Sequence, residues 1–188
     1  MRNYLVNKIR RYLLRNDCVI GDHSILYGTA SISNNLGEKE CIRIGNFCHI
    51  RGELLLFGHN GRISIGDYCY VGNNSYIWSA KNIAIGDRVL ISHNCNIFDN
   101  DTHPLEPKAR HRQFLEIITK GHPRNIDLQE EEVIIEDDVM ISANVSVLKG
   151  VHIGKGAVIG AGSVVTRSVP AFALIAGNPA RIIRMLQL

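Results

Sequence analysis

The side chains best suited to proton transfer gather in one stretch. From Asp99 to Glu132 the chain reads DNDTHPLEPKARHRQFLEIITKGHPRNIDLQEEE, 34 residues that are polar, interrupted by Pro104, Pro107 and Pro123, and without internal periodicity. His103 sits there in Thr-His-Pro and His122 in Gly-His-Pro. Neutral imidazole is the side chain matched to drawing a proton from a hydroxyl near neutral pH, so each is a candidate general base. Asp99 and Asp101 are near enough in sequence to orient the ring of His103, although a backbone carbonyl serves equally well. His93 lies outside the stretch, two places after Ile91, and reads as a surface or interface residue.

What positions this stretch is a repeat of six. From Ile135 to Pro170 the sequence divides into IEDDVM, ISANVS, VLKGVH, IGKGAV, IGAGSV and VTRSVP. An aliphatic residue leads each six, and a small or β-branched residue stands four places later: Val139, Val145, Val151, Ala157, Ser163 and Val169. A period of 3.6 would scatter the leaders around a helix, and a period of 2 leaves no reason for turn formers such as Gly154, Lys155 and Gly156 between them. Six fits a parallel β-helix in which each six is a short strand and a corner, three sixes close one coil, and the leaders stack into a core. Sixes also begin at Ile20, Leu26, Ile32, Ile44, Ile50, Ile65, Val71, Ile77, Ile85 and Ile91, for roughly seven or eight coils. Cys48, Cys69 and Cys95 fall on the small inward position, so packing explains three of the five cysteines. The odd total and the lack of CxxC argue against a disulfide framework or zinc knuckle.

The expected order is therefore an N-terminal helix over 1–17, coils over 18–98 and 133–170, an excursion over 99–132, and a closing segment over 171–188 ending in a short helix, all as one domain of 188 residues. Leu5, Ile9, Tyr12 and Leu13 alternate with Lys8, Arg10, Arg11 and Arg15, a basic amphipathic pattern. It suits a cap on the open end of the solenoid, or peripheral contact with an anionic membrane through residues 1–15. A net charge of +3 does not indicate a nucleic-acid partner. No apolar run approaches the ~18 residues of a membrane span, and the first residues lack a signal-peptide core, so a cytoplasmic location is expected. Gly154 to Gly162 mimics a dinucleotide-binding glycine pattern, but it lies in unbroken repeat register without the strand-then-helix context such a site needs.

The six uninterrupted repeats, DTHPLEP at 101–107 and SVPAFALIAGNPARIIR at 168–184 resemble the hexapeptide-repeat acyltransferases, in particular the sugar and polysaccharide O-acetyltransferase branch. The resemblance implies a left-handed parallel β-helix that assembles as a homotrimer, with acetyl-CoA as donor and no metal. It makes His103 the catalytic base and places Asn74 and Asp101 at the acceptor. It lays the donor's pantetheine arm along Ser142, Ala143, Gly160 and Ala161, with a backbone N–H near Ser142 as oxyanion donor, and sets the adenosine phosphates against Thr166, Arg167, Arg181 and Arg184. Guanidinium groups suit phosphate geometry. This chain departs from many relatives in having Met140 where they carry a tryptophan, an absence that Trp78 or Phe114 would offset.

The expected activity is acetyl transfer to a sugar hydroxyl, on a bacterial surface or capsular polysaccharide or its precursor, directly and without an acyl-enzyme. Two alternatives stand beside it. One is N-acetylation of a nucleotide-linked amino sugar; the other is a non-catalytic β-helix scaffold.

Overall fold

The computed structural model describes residues 13–14 and 16–187. Most of the helix expected at the N-terminus, residues 1–12, lies outside them. Short strands dominate the rest, and they fall into three sheets that recur in strict rotation.

The first sheet comprises β1 (Val19–Ile20), β4 (Ile42–Ile44), β7 (Ile63–Ile65), β10 (Ile83–Ile85), β13 (Val133–Ile135) and β16 (His152–Ile153). The second comprises β2 (Ile25–Leu26), β5 (His49–Ile50), β8 (Tyr70–Val71), β11 (Leu90–Ile91), β14 (Met140–Ile141), β17 (Val158–Ile159), β19 (Ala173–Gly177) and β20 (Ala180–Met185). The third comprises β3 (Ser31–Asn34), β6 (Glu53–Leu56), β9 (Tyr76–Ser79), β12 (Asn96–Phe98), β15 (Ser146–Val147) and β18 (Val164–Val165). Each strand pairs in parallel with the strand three later, up to the last hairpin. Parallel sheets wound in this three-sided rotation fit a left-handed β-helix.

Register explains the repeat. Ile44, Ile65, Ile85, Ile135 and Ile153 align strand to strand on one side, and Ile50, Val71, Ile91, Ile141 and Ile159 on the next. Every one of these side chains is buried, so the leading aliphatic of each six is a rung of one continuous core. The residues four places on are buried at the corners, Cys48, Cys69 and Cys95 among them, and burial pushes the Cys95 thiol above its ordinary pKa.

One corner is held by a side-chain ladder. Asn46, Asp67, Asp87 and Asp137 each accept, through Oδ1, the backbone N–H of the residue one coil earlier, at 2.7 to 3.0 Å. Such a ladder needs bare backbone beneath it. A Cβ at Gly66 would strike Asp87 Oδ1 and the carbonyl of Gly86, which is why glycine precedes Asn46, Asp67 and Asp87.

Two expectations are corrected. Among the described residues six coils are complete, and the seventh is only begun by the bridge of Val169 to Ile153 and by β19, fewer than the seven or eight inferred. Among the described residues the expected terminal helix is replaced by an antiparallel hairpin of β19 and β20. The β-branched Ile175, Ile182 and Ile183 suit an extended chain, and the open edge left by β17 pairs with β19. Among the described residues no helix is long and apolar enough to cross a membrane.

Candidate active site

The excursion leaves the coil after β12 and returns at β13, so it stands on the corner between the third and first sheets. Asp99 sets that corner. Its carboxylate is fully buried and accepts Ser79 Oγ–H at 2.6 Å, the Ala80 and Lys81 N–H groups at 2.8 and 2.9 Å, and Asn100 Nδ2–H at 2.9 Å. Its carbonyl accepts the Glu131 N–H, and the Leu128 carbonyl accepts the Asp101 N–H, so the two ends of the excursion are tied side by side. Asp101 in turn pairs with Lys149 Nζ at 2.7 Å, on the same corner one coil further along.

Neither aspartate orients His103; both are otherwise engaged. The partner is Gln113, whose Oε1 lies 2.8 Å from His103 Nδ1. Gln113 belongs to α1 (Pro107–Lys120), a helix inside what reads in sequence as an aperiodic loop. Glu106 caps it by accepting the Lys108 and Ala109 N–H groups, which hold its carboxyl below the ordinary carboxylate range, and Pro107 occupies the first turn. Gly121, at φ 95°, ends it. The helix faces the coil with Gln113, which is only 6% exposed.

That contact decides a tautomer. An amide oxygen can only accept, so the neutral ring of His103 is the tautomer that donates Nδ1–H to it and keeps the lone pair on Nε2. The imidazole borders a cavity of about 130 Å³ shared with Trp78, Gln113, His122, Pro123 and Leu128. Trp78 is fixed from both sides, stacking on Phe98 with ring centroids 5.1 Å apart and donating Nε1–H to Glu53 at 2.9 Å. It supplies the aromatic wall that Met140 does not, whereas Phe114 points outward and lines no part of the cavity. His122 also borders the cavity.

The other residues singled out from sequence lie elsewhere. Asn74 is exposed, at φ 55°, on the corner between the second and third sheets, in one column with Asn94 and Asn144. His93 is exposed on that corner too. Ser142, Ala143, Gly160 and Ala161 stack there on successive coils. The Ser142 N–H is spent on the Ile159 carbonyl and that of Gly160 on Ile175, which removes Ser142 as oxyanion donor. Among the described residues, the N–H groups of Ala143 and Ala161 have no bond within the chain. Thr166, Arg167 and Arg181 line a depression of about 160 Å³ at the C-terminal end, while Arg184 sits apart, opposite Leu174 in the hairpin.

His103 and the Ala143 corner thus occupy opposite edges of the third sheet, separated by strands of up to four residues, roughly 13 Å at ~3.3 Å per residue. Among the described residues no group of three His, Cys, Asp or Glu side chains is placed to hold a metal ion. Gln113, Lys149 and the capping role of Glu106 are contributions that sequence reasoning missed. Glu106-Pro107 followed by Gly121 is a readable start and stop for a helix; nothing local marks Gln113 or Lys149.

A three-sided parallel coil with a strict period of six defines a hexapeptide-repeat solenoid. The model of the family described as bacterial transferase hexapeptide (six repeats) matches residues 132–167, and that described as hexapeptide repeat of succinyl-transferase matches residues 62–97. Both matches identify hexapeptide repeats of the kind found in bacterial transferases. Among solved structures it is similar to the polysialic acid O-acetyltransferase OatWY, at 25% identity and TM-score 0.65 over 88% of this chain and 72% of that one. A hexapeptide-repeat acetyltransferase from Vibrio cholerae O1 biovar eltor, complexed with acetyl coenzyme A, is 25% identical with TM-score 0.56, covering 98% of this chain and 81% of that one. AntD, an N-acyltransferase from Bacillus cereus in complex with a dTDP-amino sugar and coenzyme A, shares the fold at 21% identity, with TM-score 0.73 over 95% and 89% of the two chains. No curated protein sequence matches the chain.

Proposed function

We propose that this protein transfers an acetyl group from acetyl-CoA to a hydroxyl of a bacterial surface polysaccharide or its precursor, with His103 as general base. The observation that carries the proposal is the pair His103–Gln113 at the edge of a walled cavity, where Gln113 engages Nδ1 and leaves Nε2 as the nitrogen for proton transfer. Solved relatives hold acetyl-CoA or modify a polysialic acid, which supports the donor and the acceptor class.

The chemistry is direct. The acceptor oxygen attacks the thioester carbonyl while Nε2 takes its proton, giving a tetrahedral oxyanion and an imidazolium. The unpaired N–H groups of Ala143 and Ala161 are the oxyanion donors that remain after Ser142 is excluded, an effect worth ~10²- to 10³-fold in kcat elsewhere. Collapse breaks the C–S bond, and the departing thiolate takes the proton back from the ring.

Because those N–H groups and His103 lie on opposite edges of one sheet, the reaction assembles between copies of the chain. The outward residues of the second sheet, Tyr70, Leu90, Met140 and Val158, stand in register as an apolar stripe, with Leu90 and Met140 about half exposed at 50% and 46%. Such a stripe suits closed three-fold association, with Asn74 reaching an acceptor across the boundary.

The test is the lability of the product. An ester made from [¹⁴C]acetyl-CoA and a bacterial capsular glycan loses its label in mild alkali. An alkali-stable product is an amide and overturns O-transfer.

A further inference from the structure

The cavity at His103 is small, and it is not isolated. Its roughly 130 Å³ falls below the ~300 Å³ at which ordinary ligand pockets begin, so it holds one sugar unit at most. Two larger depressions border it. The first, about 530 Å³, shares Gln113, Pro123 and Ile126 with the cavity and carries Arg112, Glu116 and Asn125. The second, about 340 Å³, shares His59 and Ile126 with the cavity and carries Asn60, Lys81 and Arg124.

The two flanks mix polar groups with apolar surface in different proportions: the second is mainly polar, and the first sets Arg112, Glu116 and Asn125 among Pro104, Leu105 and Ile126. Amides, carboxylates and cations line both, and among the described residues neither flank holds the Phe, Tyr or Trp on which a nucleobase stacks most strongly. Hydroxyl groups, by contrast, are served by such donors and acceptors in any order. The wall between flank and cavity is also firm. Gln113 is locked to His103, and Glu130, at the rim of the second flank, accepts from His59 at 3.1 Å, tying the corner loop of one coil to the returning excursion. A firm one-unit chamber between two open, hydroxyl-binding troughs fits a chain that continues in both directions.

We infer that the acceptor is an extended glycan lying across the excursion, with an internal sugar unit at His103 and neighbouring units in the two flanking depressions. The inference rests on the O-acetyltransferase reading and narrows it: the polymer or an oligomer of it is the substrate, not a nucleotide-linked monosaccharide. At least three units are needed to fill cavity and flanks together.

The experiment measures kcat/KM for thiol release from acetyl-CoA across three acceptor series, malto-, chito- and α2,8-linked sialo-oligosaccharides of one to six units, with the mass-spectrometric position of the acetyl group in each product. UDP-N-acetylglucosamine and dTDP-4-amino-4,6-dideoxyglucose are run beside them. In the series that reacts, kcat/KM is expected to rise at least tenfold between one and four units and then level, with acetyl on internal units. Glu116→Ala combined with Arg124→Ala, on opposite flanks, flattens that rise. Equal kcat/KM at every length, or a nucleotide sugar preferred over every oligosaccharide, overturns the inference while transfer itself stands. No turnover of any acceptor by protein that still binds acetyl-CoA overturns both.

Discussion

His103 Nδ1 and Gln113 Oε1 meet at 2.8 Å, ten residues apart in sequence but on different elements, one on the descending loop of the excursion and one on its helix. The bond makes Gln113 a positioning residue, and its removal should be felt in kcat more than in KM. Gln113→Ala is expected to lower kcat about tenfold. Gln113→Glu gives a sharper readout. A carboxylate facing Nδ1–H stabilises the imidazolium, so less of the ring is neutral at a given pH, and the acid limb of kcat/KM moves to higher pH. A profile that stays in place would show that Gln113 only packs.

Assembly of the site between copies predicts complementation. His103→Ala lacks the base but keeps the Ala143 corner; Ala143→Trp obstructs the corner but keeps the base. Mixed after dissociation and reassociation, the two inactive proteins should regain about a quarter of wild-type activity, the share of interfaces that combine one intact half from each in random trimers. A mixture as inactive as its components would place base and donor corner in one chain.

Asp99 is expected to be structural. Its buried carboxylate satisfies four donors at the foot of the excursion, and Asp99→Ala leaves them unpaired. A loss of about 3 kcal/mol in denaturant unfolding is expected, with earlier proteolytic cleavage inside 99–132. Gly66→Ala tests the corner ladder in the same assay, because its Cβ has no room beside Asp87 and Gly86; about 2–3 kcal/mol of overpacking is expected. Wild-type midpoints for either would refute these contacts.

Three carboxyl groups set an acid limit. Glu106 is lowered by the Lys108 and Ala109 N–H groups, Glu136 by the Lys155 N–H and His152, and Asp138 by Arg88. A group whose folded pKa is depressed contributes stability above its unfolded pKa and loses it as pH falls through the folded value. The thermal midpoint should therefore hold near neutral pH and fall below about pH 4, where ordinary carboxylates titrate. Glu106→Gln should lose helicity at neutral pH, and a variant with unchanged circular dichroism would show that the cap does not matter.

The coil was legible because its physics is local and repeated. Ile135, Ile141 and Val147 announce three sides of one turn, and the following three residues of the series announce the next. The closing hairpin was not, since AFALIAGNPARIIRMLQL carries helix formers as well as β-branched residues and only the open edge beside β17 decides between them. His103 stood out through its neighbours in sequence. Gln113 could not, because a glutamine in a stretch that reads as an aperiodic loop gains its role only when that stretch forms a helix and folds back, and Lys149 meets Asp101 across 48 positions. Asp99 and Asp101, offered beside a backbone carbonyl as ring partners, gave way to Gln113 for the same reason.

The central claim is that His103 acts as the base. The most direct measurement is the initial rate of free thiol release from acetyl-CoA, in the presence of a reactive glycan, by wild-type protein and by His103→Ala of matched oligomeric state and thermal midpoint. A drop in kcat of at least ~10²-fold with donor binding unchanged is the predicted result. Near-full activity in the variant would contradict it.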